Sequence, residues 1–336
     1  MIIICLLIGI TIFYNKKGVP WFLYHHIGEE EVPTEWFESH LKFINKLKMK
    51  TLTNRDLEVQ LKENGKIEKN SIFLTFDDGY YDNYSIAHPL LKKYKIKATL
   101  YLNTAYIEEN KREYKYLSWK EIEEMYMSGY WDIQLHSHKH APIFINTHLE
   151  RIVNNMDLND RDLKLIYGKE LKLGYPIFAK RGEYSAKGIK ITKKIAKKFK
   201  NFYDSLEGME NKKIEKCQDY IDEILKNDIK LETNMEAKER IVKDLKKNIL
   251  SIERYCGYKP TFFCWPWGHK GKISQELLIE NGIKGFVTTK KGTNKLKIDL
   301  YNIKRIELRK FTPLKFKINL LITRNYILGK IYQIFS

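Results

Sequence analysis

The feature that most restricts this chain is a recurring order of short apolar strand, amphipathic helix and short apolar strand. "WFLYHHI" (21–27) reads as an aromatic and aliphatic strand. "PTEWFESHLKFINKL" (33–47) reads as a helix with Phe37, Leu41, Ile44 and Leu47 on one face, started by Pro33 and Thr34. Further strands are predicted at "SIFLTF" (71–76), "KATLYLN" (97–103) and "WDIQLHSH" (131–138). Between them come "NYSIAHPLLKKYK" (83–95), a helix that Pro89 starts late or kinks, and "SWKEIEEMYMSG" (118–129), with a Ser118/Glu121 capping box and Gly129 as its stop. After residue 235 the order resumes with the helix "ERIVKDLKKNILSIERYCG" (239–257), the strand "TFFCWPWG" (261–268), the helix "ISQELLIENG" (273–282) and the strand "GFVTT" (285–289). Such an alternation predicts an α/β fold with a parallel sheet or barrel, in which functional groups gather where strands end.

Residues 141–235 depart from this order and read as a large, helical, Lys-rich insertion. Its segment "AKGIKITKKIAKKFK" (186–200) holds seven lysines and no acid, with Ile191, Ile195, Phe199 and Phe202 on one face of a helix. The ends of the chain differ from the middle. Residues 1–18 open with an apolar run, Ile2 to Tyr14, that reads either as an anchor or as an arm packed on the domain; it is shorter than the ~20 residues of an ordinary span. The lysines that follow it leave the orientation open, since the positive-inside rule would keep that side in the cytoplasm. Residues 311–336 form a basic amphipathic tail suited either to a membrane interface or to packing as a C-terminal helix. One main domain, interrupted by that insertion, is expected over 19–310.

Composition limits the functional classes. With 43% hydrophobic and 13% aromatic residues over 336 positions, the chain can bury a large core, which excludes a disordered tail. A net charge of +18 suits an anionic partner such as a membrane surface, an acidic polymer or nucleic acid. The chain shows no recognisable nucleic-acid motif, so that partner is not expected. Cys5, Cys217, Cys256 and Cys264 form no CxxC pair, so they specify neither a cysteine zinc site nor a disulfide framework.

Two clusters carry chemistry. Asp77 and Asp78 stand side by side at the end of the strand "SIFLTF", and Gly79 lets the chain turn there. Alone, such a pair could be an Asp-Asp-Gly turn capping a helix. "QLHSHKH" then sets His136 and His140 four apart at the end of another strand. Imidazole with carboxylate oxygen is a zinc ligand set, with cobalt and nickel also compatible. A zinc hydrolase needs three protein ligands, an open position and a separate base. Asp78, His136 and His140 supply the ligands, and Asp77 remains as the base.

"TFDDG" followed by "HSHKH" resembles the first two motifs of the polysaccharide deacetylases, carbohydrate esterase family four. The resemblance implies a distorted (β/α) barrel, a divalent metal held by Asp78, His136 and His140, and Asp77 as catalytic base. "FCWPWG" is similar to the third motif and puts Pro266 and Trp267 at the substrate, but Cys264 stands where the family has an arginine. Arg305, in "IKRIELR", is the candidate to replace it. The family's last motif is absent near the C-terminus, whereas "FLYHHI" contains Leu23, Tyr24 and His25 in its spacing. That order resembles the circularly permuted poly-N-acetylglucosamine deacetylases and makes His25 the general acid, with His26 as fallback and Leu23 as a wall for the acetyl methyl. No clear fourth motif orients this histidine. The implied function is metal-dependent removal of N-acetyl groups from an N-acetylated glycan on the extracytoplasmic side, in the periplasm or at the cell surface. The alternatives are a non-catalytic carbohydrate binder, a deacetylase of a small or lipid-linked N-acetyl sugar, and a location on the cytoplasmic membrane face.

Overall fold

The computed structural model describes residues 17–29, 31–108, 116–206 and 212–335. The apolar run 2–14 lies outside them. No helix among the described residues is long and apolar enough to cross a membrane. The chain forms two compact units, divided between Lys139 and His140 in the histidine loop: residues 1–139, 245–268 and 279–336 make the first, and residues 140–244 and 269–278 the second.

The first unit is built on eight strands: β1 (Trp21–Tyr24), β2 (Lys50–Thr51), β3 (Ser71–Asp78), β4 (Ala98–Leu102), β5 (Trp131–Leu135), β6 (Phe262–Cys264), β7 (Gly285–Val287) and β8 (Ile306–Glu307). Their order is β7-β6-β5-β4-β3-β1-β8, with β2 added on β3. Every pairing is parallel, so the sheet is a curled half-barrel with all its strands running one way. Strands β1, β4 and β5 are buried along their whole length; β1 and β4 accordingly read as nearly continuous apolar runs, whereas β5 alternates Trp131, Ile133 and Leu135 with the buried, hydrogen-bonded Asp132 and Gln134.

Period-two geometry sorts the side chains of β3. Phe73 stacks on Trp21 with ring centroids 3.9 Å apart, in a cluster that includes Tyr101, Cys264 and Val287. Thr75 and Asp77 follow Phe73 on that face. Phe76, on the other, stacks against Tyr24. The crossover helices begin where their caps dictate. Thr53 with Asp56 forms a capping box ahead of α1 (Asn54–Asn64), and Ser118 with Glu121 forms another ahead of α2 (Trp119–Met127). Around Pro89 the chain first makes a wide π turn (Asn83–Ala87), then a short α-helix (His88–Tyr94), because proline cannot supply the N–H that a continuous helix needs there. The unit closes with α3 (Pro313–Thr323) and α4 (Tyr326–Phe335).

The second unit has its own core. An antiparallel pair, Pro142–Ile152 with Pro176–Gly182, packs with helices over Phe144, Leu163, Phe178, Ile195, Phe199, Cys217 and Ile221. In the Lys-rich helix Lys193–Asp204, Thr192 is the N-cap, and Ile195, Ala196 and Phe199 are buried. The lysines of this stretch thus surround one buried stripe.

Candidate active site

The two carboxylates separate because the backbone changes hand between them. Asp77 ends the regular alternation of β3 and is buried, whereas Asp78 takes φ 74° and turns out of it. A left-handed φ costs a residue with a Cβ on the order of 1 kcal/mol, and Asp is among the types that tolerate it best. Gly79 follows at φ 91°, where an added Cβ would lie 2.5 Å from the Leu102 side chain; only glycine fits.

Asp77 is held by a buried guanidinium. Arg305 donates from Nη1 to Asp77 Oδ1 at 2.7 Å and from Nη2 to Oδ2 at 2.8 Å, a two-pronged pair with both side chains out of solvent. The same arginine also donates to Thr75 Oγ1, the Thr288 carbonyl and Cys264 Sγ. Burial pushes the Asp77 carboxyl upward, but the Arg305 charge outweighs burial and holds it well below the usual carboxylate range. Cys264 and Cys256 are both free, and Cys264 Sγ lies 3.4 Å from Asp77 Oδ2.

Among the described residues, two groups of donors lie close enough to share a cation: Asp78, His136 and His140, and Asp77, His136 and Cys264, each with its ligand atoms within 4.8 Å of one another. Chemistry favours the first. Both Asp77 oxygens already face a guanidinium charge, and burial pushes the Cys264 thiol well above its usual range, against the thiolate a metal requires. In the first group, His136 Nδ1 meets the Cys264 backbone carbonyl at 2.9 Å, which places the ring proton on Nδ1 and the lone pair on Nε2. Nε2 is 3.5 Å from Asp78 Oδ1, and Asn103 donates to that oxygen at 2.7 Å. An imidazole whose far nitrogen is held by a carbonyl, beside a carboxylate held by an amide, is the outer-shell arrangement of a metal site. The loop between the histidines turns through left-handed positions at Ser137 (φ 68°) and His140 (φ 49°). His138 supports it: Nδ1 meets Thr104 Oγ1 at 2.8 Å and its carbonyl accepts from Ala105 N.

His25 follows β1, and its Nδ1 faces two carboxylates, Glu307 at 3.6 Å and Glu31 at 3.9 Å. Both are bridged by Arg309 Nε, at 2.6 Å from Glu307 and 3.4 Å from Glu31. His26 is engaged elsewhere, with Nδ1 at 2.6 Å from Asp82 Oδ2 and its ring 3.6 Å from that of Tyr80. Leu23 is fully buried in β1, Pro266 is buried, and Trp267 stands 39% exposed at φ 51°. Sequence reasoning missed Glu31, Glu307 and Asn103. Two of them carried a signal: Asn103 closes a strand as Asp77 and His136 do, and Glu307 lies two residues beyond Arg305, on the same side of an extended segment.

Known proteins resemble this chain in sequence and in fold. Residues 64–199 match the family model for polysaccharide deacetylase. The poly-β-1,6-N-acetyl-D-glucosamine N-deacetylase of Staphylococcus aureus is 35% identical over 123 residues, which is 35% of this chain and 42% of that protein. The match thus spans less than half the length of that relative. Among solved structures, the de-N-acetylase from Aggregatibacter actinomycetemcomitans superposes with a TM-score of 0.62 at 16% identity, covering 88% of this chain and 96% of that one. The BpsB deacetylase domain from Bordetella bronchiseptica gives 0.60 at 15% identity, covering 88% and 97%. At those identities the likeness is one of fold. The sequence match places a polysaccharide deacetylase domain over residues 64–199, with homology over 123 residues to the poly-β-1,6-N-acetyl-D-glucosamine N-deacetylase.

Proposed function

We propose that this protein is a metal-dependent hydrolase that removes N-acetyl groups from N-acetylhexosamine residues of a cell-surface or extracellular polysaccharide. The observation that carries the reading is the division of labour at the end of β3: Asp77 is paired with a buried arginine, while Asp78 turns away toward two histidines. The donor set of one carboxylate and two imidazoles suits zinc, with cobalt or nickel as substitutes. Bound by Asp78, His136 and His140, such an ion would polarise the acetamide carbonyl and ease deprotonation of water.

The chain's own residues supply the proton transfers. Asp77, kept ionised by Arg305, accepts a proton from the water whose oxygen adds to the acetyl carbon. His25 in its protonated form delivers a proton to the sugar nitrogen as the carbon–nitrogen bond breaks, because expulsion of an amide anion would be prohibitively unfavourable. The products are acetate and a glucosamine unit. Glu307 and Glu31 set opposite charge beside the His25 ring and are assigned as its positioning residues. Leu23, Pro266 and Trp267 are assigned to the substrate side, with His26 held in reserve by Asp82. We place the domain on the extracytoplasmic side, associated with the membrane through the N-terminal segment and the C-terminal tail.

The direct test is acetate release from poly-N-acetylglucosamine. Release is expected, along with its loss on chelation and its return with zinc. A protein that binds the glycan but liberates no acetate with any of the three metals would contradict the reading. Glu307→Gln removes one carboxylate facing His25 and should lower kcat by about tenfold or more, within the ~10²–10⁴ that a general acid contributes, with little change in KM. An unchanged kcat would remove Glu307 from the mechanism.

A further inference from the structure

At the opposite end of the sheet from the carboxylates is a pocket of about 450 Å³ lined by Lys17, Lys69, Asn70, Arg324, Leu321 and Leu328 among others. Lys69 and Asn70 immediately precede β3, whereas Asp77 and Asp78 end it. Eight residues at about 3.3 Å each put the two sites roughly 26 Å apart. The walls are tied together by hydrogen bonds: Gly18 N donates to the Arg324 carbonyl at 2.8 Å, Arg324 Nη2 donates to Asn70 Oδ1 at 2.8 Å, and Lys17 bridges to Asn325. Gly18 is required for this closure, since a Cβ there would lie 2.3 Å from the Thr323 carbonyl. Among the described residues, no carboxylate pairs with Lys17, Lys69 or Arg324.

The surface leading to this pocket is apolar. Leu314, Ile318 and Leu321 fall on one face of α3 at helical spacing and are 67%, 49% and 50% exposed; on α4, Ile331 and Ile334 are 46% and 76% exposed. No acid follows Glu307 in the sequence, while six Lys or Arg do. The apolar run Ile2–Tyr14 leads directly into Lys16 and Lys17, the second of which lines the pocket. Unpaired cations in a rigid pocket, flanked by exposed aliphatic side chains, suit an anionic headgroup with its acyl chains alongside.

We propose that this pocket takes the phosphate of an anionic phospholipid and seats the exposed faces of α3 and α4 on the membrane surface. The carboxylate end of the sheet then points away from the lipid, toward polymer in the surrounding layer. The membrane contact is part of the functional reading above, but the pocket and this orientation do not depend on catalysis.

Flotation with vesicles of phosphatidylcholine, with and without phosphatidylglycerol, tests it on the full chain. The readout is the ratio of the two affinities, from which any headgroup-independent insertion of residues 2–14 cancels. Wild type should prefer the anionic vesicles. Lys17→Gln with Lys69→Gln should cut that preference by about 25-fold, roughly fivefold for each charge, while acetate release from soluble oligosaccharide stays unchanged. Lys238→Gln with Lys246→Gln, which removes the same net charge elsewhere, should leave the preference close to wild type. Equal preference losses for the two double variants, or no preference in wild type, would overturn the proposal. A second readout needs no variant: in hydrogen exchange, anionic vesicles should protect residues 314–328 and leave 77–82 unprotected. The reverse pattern would overturn the orientation.

Discussion

Asp77→Asn should lower acetate release from poly-N-acetylglucosamine by about 10²–10⁴-fold, the range that a positioned general base contributes. The substitution keeps the size of the side chain and removes only its ability to take up a proton. Part of the loss will be structural, because Arg305 would keep one good acceptor where it now has two, so activity is to be normalised to the folded fraction. The same variant should still hold its metal. A variant with near-normal turnover would mean that another group removes the proton from water, and no other carboxylate shares the buried face of β3 with Thr75 and Phe73.

Arg305→Met should cost about 3–5 kcal/mol of stability, the penalty for leaving one member of a buried ion pair alone. Arg305 is fully buried and makes both its prongs to Asp77, so its loss strands the carboxylate away from bulk solvent. The effect has a definite pH dependence. In wild type the Asp77 carboxyl is depressed below its unfolded value of about 4, so the pair stabilises the fold above that pH, and the contribution is lost as acid titrates the folded carboxylate. In the variant burial acts with much less opposition and raises the carboxyl, so stability falls as pH rises through about 4. The gap between the two proteins should therefore be small in acid and reach its full size near neutrality. Denaturant melts in the presence of a chelator, run across that range, would show it. A constant gap at every pH would mean that Arg305 stabilises by packing and not by its charge.

Much of the sheet was legible because parallel strands buried on both faces write themselves as unbroken apolar runs, as in "SIFLTF" and "KATLYLN". Helix starts were legible where a side chain itself makes the cap, at Ser118 with Glu121. Residues 142–152 were not read as a strand: the register shifts between Phe144 and Leu149 and again before Arg151, and such irregularities destroy the alternation by which a strand is recognised. The second unit's core is assembled from segments that each show only part of a buried stripe. At the site, strand ends drew attention to Asp77, Asp78, His25 and His136. Of the partners of His25, Glu307 carried a signal through its spacing from Arg305 and Glu31 carried none; the two are far apart in the chain and meet because β8 lies beside β1. Cys264 marked the missing motif arginine and Arg305 was the candidate for its place, but its contact with Asp77 is a matter of strand order: Arg305 just precedes β8, at the far end of the sheet sequence from β6.

The central claim is that a cation engages only one of two adjacent carboxylates, and metal content tests it most directly. Wild type, Asp77→Asn and Asp78→Asn are to be stripped, reloaded with zinc and analysed for bound metal per chain. The account predicts that Asp77→Asn binds zinc as wild type does and that Asp78→Asn loses it. Loss in Asp77→Asn with retention in Asp78→Asn would contradict it.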